Sequence, residues 1–350
     1  MKSGSLGAEA NPIAVALFGS GQFAIAPFEA IRLRSQELGV RIACVVTQPD
    51  RKAGRGQASQ ATAVGAWAIA KGLTLIRTAD ANDPRAREAI RGGGVLIFVV
   101  VAFGQRLGDD LLQDIAAVNL HGSILPAWRG AAPIQRSLMA GDARLGVSVI
   151  EVAPRMDGGR IFATAETEPI AGEIAAELHD RLSALGVAPL VEVVAKLAAF
   201  MRRDEGERGC ARGAIESLGG RVQDESAVTR AKKLARADAW VDFTATAREV
   251  AARINGLSPW PGVDATILGS PLRVLRARVD ERGGIESTGT PGEVLAQGSV
   301  ACGVGCVEIL EVQAPGGRPV VLSAYLNGRR LGCGVRIESR SPAANRGGQL

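Results

Sequence analysis

Residues 95–104 read VLIFVVVAFG, and residues 118–136 read VNLHGSILPAWRGAAPIQR. The first is a continuous β-branched run that ends in glycine. With no polar alternation, it is the pattern of a strand buried on both faces of a parallel sheet. The second opens as an extended segment and then turns through Gly122, Pro126, Gly130 and Pro133. Side chains two apart on extended chain point to one face, so Asn119 and His121 share a side. An Asn-x-His pair is commonly just a turn or a satisfied polar pair. Here it is followed by a glycine that lets a ligand come close, a stiff apolar strip Ile124-Leu125-Pro126, and the rigid Arg129-Gly130 turn. An amide donor, an imidazole and an ionised carboxylate can together activate an amine and steady an oxyanion. A carboxylate in a glycine setting follows at Asp157, in RMDGGR (155–160). The other histidine, His179, lies in a polar–apolar helical run and reads as a surface or boundary residue.

Working outward, IAVALF (13–18) is a buried strand, GSGQFA (19–24) a glycine turn, and an apolar-periodic helix runs to about Leu38. The turn meets the G-x-G-x-x-A pattern of dinucleotide binding. The next strand, VRIACVV (40–46), ends in Thr47-Gln48-Pro49 and lacks the acid a ribose needs; Asp50 comes late. The glycines then serve tight strand-to-helix packing. ATAVGAWAIAKG (61–72) and DPRAREAIRGG (83–93) read as helices, the second with Asp83 as N-cap. Pro133 should open another helix that Gly141 closes. Strands alternating with helices predict a Rossmann-like, doubly wound parallel sheet, with ligands beyond the carboxyl ends of its strands. From Val263 on, short alternating segments with Gly/Ser punctuation predict a small β-barrel.

The chain has 350 residues, enough for two domains or three. Its net charge of +5 permits an acidic partner without specifying one. Five scattered cysteines fit reduced thiols, and Cys302-Gly-Val-Gly-Cys306 reads as a strand rather than a metal site. No run of about 18 apolar residues stands out as a membrane span, and MKSGSLGAEANP has no apolar core of a signal peptide. The expected boundaries are a leader at 1–11, a catalytic domain at 12–202, a linker at 203–222, a C-terminal domain at 223–340 and a tail at 341–350.

The run NLHGSILPAWRGAAPIQRSLMAGD (119–142) closely resembles the signature of the folate-dependent formyltransferases, in particular the branch that acts on tRNA. The resemblance continues through VVTQPDRKAGRG (45–56), GVSVIEVAPRMDGGRIF (146–162), AKKL (231–234), NGLSPWPG (255–262) and PGEVL (291–295), in the same order. It implies a formyltransferase domain followed by an OB-like domain, in a cytoplasmic, monomeric enzyme. It implies that 10-formyltetrahydrofolate donates a formyl group to the amine of initiator methionyl-tRNA, with no metal and no membrane. Asn119, His121 and Asp157 match the catalytic set, at the family's spacing. The folate site it implies comprises Phe103, Gly104, Ser123, Ile124, Leu125 and Pro126, with Arg129 as loop support or a carboxylate contact. Arg51, Lys52 and Arg55 match a loop that enters the tRNA acceptor end. The chain departs from the pattern at Gln57, Ala58 and Ser59, where the family often has lysines. That departure keeps two other acceptors open: an amino sugar or small amine, or water, which would make a formyltetrahydrofolate hydrolase. Arg273, Arg276, Arg278 and Arg318 are further candidates for the tRNA backbone.

Overall fold

The computed structural model describes residues 11–53, 58–203, 211–281 and 289–339. They form two units. The first takes the described residues of 1–129, 146–165 and 182–229, and the second those of 130–145, 166–181 and 230–350.

The first unit is built on seven strands: β1 (Ile13–Gly19), β2 (Val40–Thr47), β3 (Leu75–Arg77), β4 (Ile97–Val101), β5 (Ala116–His121), β6 (Leu145–Glu151) and β7 (Ile161–Thr167). Their order is β7-β6-β5-β4-β1-β2-β3. Strands β3, β2, β1, β4 and β5 run parallel, and β6 is antiparallel to β5. The sheet is therefore Rossmann-like and mixed, with the antiparallel strand confined to one side, as many large parallel sheets allow. Every residue of β1 is buried, because it is central and covered on both faces. Phe18 on β1 lies 4.6 Å, ring to ring, from Phe98 on β4 and 5.3 Å from Phe103. The strand order reverses between β1 and β4, so the crevice that such sheets use for ligands opens beyond Gly19 and Val101.

Helices α1 (Ile25–Leu33), α2 (Ala63–Ala70) and α3 (Pro84–Arg91) connect the early strands. The Thr62 hydroxyl accepts from Gly65 N, and the Asp83 carboxylate from Arg85 N and Ala86 N, satisfying backbone donors at the two helix starts. Helix α4 (Pro133–Ala140) opens on proline, and Gly141 ends it in left-handed conformation. Residues 175–203 form α5 (Ala175–Leu185) and α6 (Val187–Arg203), one helical stretch long and apolar enough to cross a membrane by composition alone. Helix α6 buries Leu190, Val191, Val194 and Leu197, and it packs on α1 and β1 as a core helix. The stretch expected as a linker holds a helix, α7 (Ala211–Ser217), which packs on α6 and β5 through buried Ala214 and Ile215. Its composition is polar apart from that short apolar pair, so periodicity does not reveal it.

The second unit is an antiparallel sheet of β8 (Val263–Ile267), β9 (Ser270–Val279), β10 (Val300–Ala301), β11 (Cys306–Gln313), β12 (Pro319–Val320) and β13 (Ile337–Glu338). The order is β10-β11-β9-β8-β13, with β12 beside β11, consistent with an OB-like domain. Helix α8 (Ala247–Gly256) starts with a capping box between Thr246 and Glu249 and buries Val250 and Ile254 in this unit's core. Asn255 is buried. Its amide donates to Ala277 O at 2.8 Å and its oxygen accepts from Ala277 N at 2.9 Å, stitching the helix to β9. At Gly256 a Cβ would fall 2.8 Å from Met139 N, so only glycine lets α4 and α8 approach this closely. Cys302 lies in this core and Cys306 is also buried, and burial pushes the Cys302 thiol up to about 12.

Candidate active site

His121 is the last residue of β5, and Asn119 sits two residues earlier on the same face. Asn119 is paired in register with Val100 on β4 and Ile150 on β6, and His121 with Ser148 on β6. Neighbours on both sides fix the strand's register and so aim both side chains. The imidazole is buried, and its Nε2 lies 3.0 Å from Trp128 O. A carbonyl only accepts, so Nε2 carries hydrogen and donates there. The other nitrogen, Nδ1, faces Asp157, with Oδ1 at 3.7 Å. That gap exceeds a direct hydrogen bond and suits a bridging water or an incoming amine.

Asp157 is held by a turn that doubles back on β6. Glu151 N donates to Arg160 O at 2.9 Å, and Gly158 N to Arg155 O at 3.0 Å. A Cβ at Gly159 would lie 2.0 Å from Glu151 O, so the turn closes only with glycine there. Both Asp157 (φ 52°) and Trp128 (φ 64°) adopt left-handed backbone, which costs a non-glycine residue about 1 kcal/mol or more.

The loop from Gly122 to Arg129 is knit to the sheet. The Ser148 hydroxyl donates to Ser123 O at 2.9 Å and accepts from Leu125 N at 3.1 Å; the Ser123 hydroxyl donates to Ala127 O at 2.7 Å. Leu125 packs with Ile150 and Ile161 in a small core cluster. Of the residues expected around folate, Phe103, Ser123 and Leu125 therefore have buried side chains, while Ile124 and Pro126 are half-buried and Gly104 is exposed. Phe103 O accepts from the Gln48 amide at 2.8 Å, which fixes the backbone at the end of the central strand.

Arg129, read from sequence as loop support or a ligand contact, is fully buried. Its Nε donates to Gln223 Oε1 at 2.9 Å, and its Nη2 to Glu225 Oε1 at 3.0 Å. The guanidinium is thus committed to the protein. That hydrogen bond from Arg129 also holds the Glu225 carboxyl below the usual range. Gln223 and Glu225 sit more than 90 positions along the chain from Arg129, and no local pattern marks them. Arg51 is exposed and donates to Gln48 Oε1; Lys52 lies in the short strand Arg51–Ala53, and Arg55 is outside the described residues. Arg273, Arg276 and Arg278 pair with Asp264, Glu177 and Glu308. Among the described residues no group of three or more His, Cys, Asp or Glu side chains is arranged to hold a metal.

Sheet, strand end and glycine turn together match a known class. The formyl transferase profile matches residues 12–194 and the formyl transferase C-terminal domain profile residues 233–330, and the chain belongs to this family. Its curated relatives include the methionyl-tRNA formyltransferase of Phenylobacterium zucineum, 37% identical over 92% of this chain and 99% of that one. Another, the methionyl-tRNA formyltransferase of Methylococcus capsulatus, is 36% identical over 82% of this chain and 91% of the relative. Two solved structures share the fold. HypX from Aquifex aeolicus in complex with tetrahydrofolic acid is 14% identical, with a TM-score of 0.56 over 90% of this chain and 47% of that chain. An N-formyltransferase from Helicobacter canadensis is 13% identical, with a TM-score of 0.56 over 86% of this chain and 98% of that chain.

Proposed function

We propose that this chain transfers the formyl group of 10-formyltetrahydrofolate to the α-amino group of methionine carried on initiator tRNA, as a cytoplasmic monomer. The observation that carries the chemistry is the approach of Asp157 Oδ1 to His121 Nδ1, with Asn119 on the same face of the same strand. The acceptor rests on the curated relatives, which match across both parts of the chain.

Transfer requires an unprotonated amine, a stabilised oxyanion and a protonated leaving nitrogen. The amine lone pair adds to the formyl carbon while the carbonyl pair moves to oxygen. The Asn119 amide stabilises that oxygen together with His121 acting as a cation, which keeps Nε2–H on Trp128 O and donates from Nδ1, as preorganised donors do where charge develops. Asp157, directly or through water in the gap to Nδ1, takes the proton the amine must lose. The oxyanion pair then re-forms the carbonyl as the carbon–N10 bond breaks, and N10 leaves with the electron pair of that bond and takes up the proton that the amine lost to Asp157. Binding of the folate falls to Phe103, Gly104, Ser123, Ile124, Leu125 and Pro126, chiefly through backbone groups where the side chains are buried. Arg51, Lys52 and Arg55 are proposed to contact tRNA.

A formylation assay tests this reading. Charged initiator tRNA should be formylated in the presence of 10-formyltetrahydrofolate, and charged elongator tRNA and free amino sugars much less. Equal use of a free amine would replace the acceptor, and release of formate without any acceptor would replace the reaction.

A further inference from the structure

We infer that Gln223 is a positioning residue for this reaction: its side-chain amide clamps the turn that presents Asp157 to His121. The inference rests on the function proposed above and concerns the same site. Gln223 is 5% exposed. Its Nε2 donates to Asp157 O and to Gly159 O, each at 2.8 Å, so one amide group spans the Asp157-Gly158-Gly159 turn. Its Oε1 accepts from Arg129 Nε at 2.9 Å. The orientation is unambiguous, because carbonyls only accept and a guanidinium only donates. Both amide hydrogens are thereby used on the turn that carries the carboxylate.

The same stretch also braces the other half of the pair. Thr229 Oγ1 accepts from Trp128 N at 2.8 Å, and Thr229 O accepts from Arg129 N at 3.0 Å. Trp128 O is the acceptor for His121 Nε2. Residues 223–229 therefore hold the Asp157 turn at one end and the Trp128 carbonyl at the other, and both held residues adopt left-handed backbone. Glu225 adds ion pairs to Arg129 at 3.0 Å and to Arg155, at the start of the Asp157 turn, at 2.6 Å. A strained turn relaxes once its clamp is gone. A displacement near 1 Å at a reacting group is enough to cost about a hundredfold in rate.

Gln223→Met keeps the volume and removes both donors; Gln223→Asn keeps the amide one methylene short. In steady-state formylation of charged initiator tRNA, each should lower kcat about ten- to a hundredfold. KM for tRNA and for the folate should stay within about threefold of wild type, because the clamp touches neither. In an Asp157→Ala background the same changes at Gln223 should lower kcat no further, which a generally structural role would not produce. Retention of kcat within threefold by a folded Gln223→Met, or an undiminished further loss in the Asp157→Ala background, overturns the inference. Should Gln223→Met fail to fold, Gln223→Asn is scored by the same criteria. An inactive wild type, or an Asp157→Ala variant with normal turnover, rejects the functional reading and the inference with it. Normal turnover by Gln223→Met beside an inactive Asp157→Ala rejects the inference alone.

Discussion

Two arginines, one from each unit, do different work. In the first, Arg129 is wholly buried, and its guanidinium bonds Gln223 and Glu225 beside the turn that carries Asp157. In the second, the Arg278 side chain is 51% exposed and pairs with Glu308 across neighbouring strands. Both make ion pairs near ordinary distances and both carboxylates reach solvent, but only the Arg129 guanidinium is itself shut off from water. A charge removed from water stays buried only where its hydrogen-bonding positions are matched, so Arg129 dictates the placement of everything it touches. An exposed pair gains little, because solvent competes for both partners. Burial, rather than the number of ion pairs, separates an arginine that shapes a site from one that decorates a sheet.

The sharpest break of this contrast is Arg129→Ala. It should destabilise the fold by about 2–4 kcal/mol, from the lost packing and the buried partner left unmatched. Urea unfolding measures it, and a loss below about 1 kcal/mol would reduce Arg129 to the surface class. His121→Ala comes next. It should lower kcat at least about a hundredfold, equivalent to about 2.7 kcal/mol, with the unfolding midpoint near wild type. Near-normal turnover would remove His121 from the chemistry.

Glu29 tests an intermediate degree of burial. Hydrogen bonds from Arg32, and then from Lys71 and Trp67, outweigh desolvation and lower its pKa from 4.5 to about 2. A carboxylate depressed in the folded state stabilises above the unfolded pKa and loses that contribution as pH falls through the folded one. The Glu29 contribution should therefore be full above about pH 5 and fade between about pH 4.5 and 2, amounting to under about 1 kcal/mol after screening. Comparing Glu29→Gln with wild type by denaturation at pH 6 and pH 3 should show a difference at pH 6 that shrinks at pH 3. A difference that grows toward acid would reverse the assignment. Arg278→Ala should have the smallest effect, within about 0.5 kcal/mol, and 1 M salt should erase it. A larger loss that survives salt would show that the C-terminal sheet depends on the pair.

Much of the candidate site is legible in the chain because its parts are local. Asn119 and His121 are two apart on one strand, so the period of extended chain alone puts them on one face. The β-branched run at 97–101 marks the sheet's interior, Pro133 and Gly141 mark helix ends through the backbone geometry they suit, and Asp83 marks one through its capping carboxylate. What escapes the reading is long-range. Helix α7 forms because Ala214 and Ile215 find an apolar surface on α6 and β5, a surface that no window of sequence contains. Arg129 reads equally as a ligand contact until its guanidinium is seen to be spent on Gln223 and Glu225. The antiparallel run of β6 depends on how the chain returns after α4.

The sequence by itself determined the alternation of strands and helices, the family, and the identity of the three polar side chains proposed for the chemistry. Periodicity, turn residues and motif spacing are carried along the chain, and they survive without a fold. Only the tertiary structure decided that Asp157 meets His121, that the segment 223–229 braces both, and which arginines are withdrawn from solvent. Those outcomes depend on distance and burial between residues tens of positions apart, and both quantities come into being when the chain is packed.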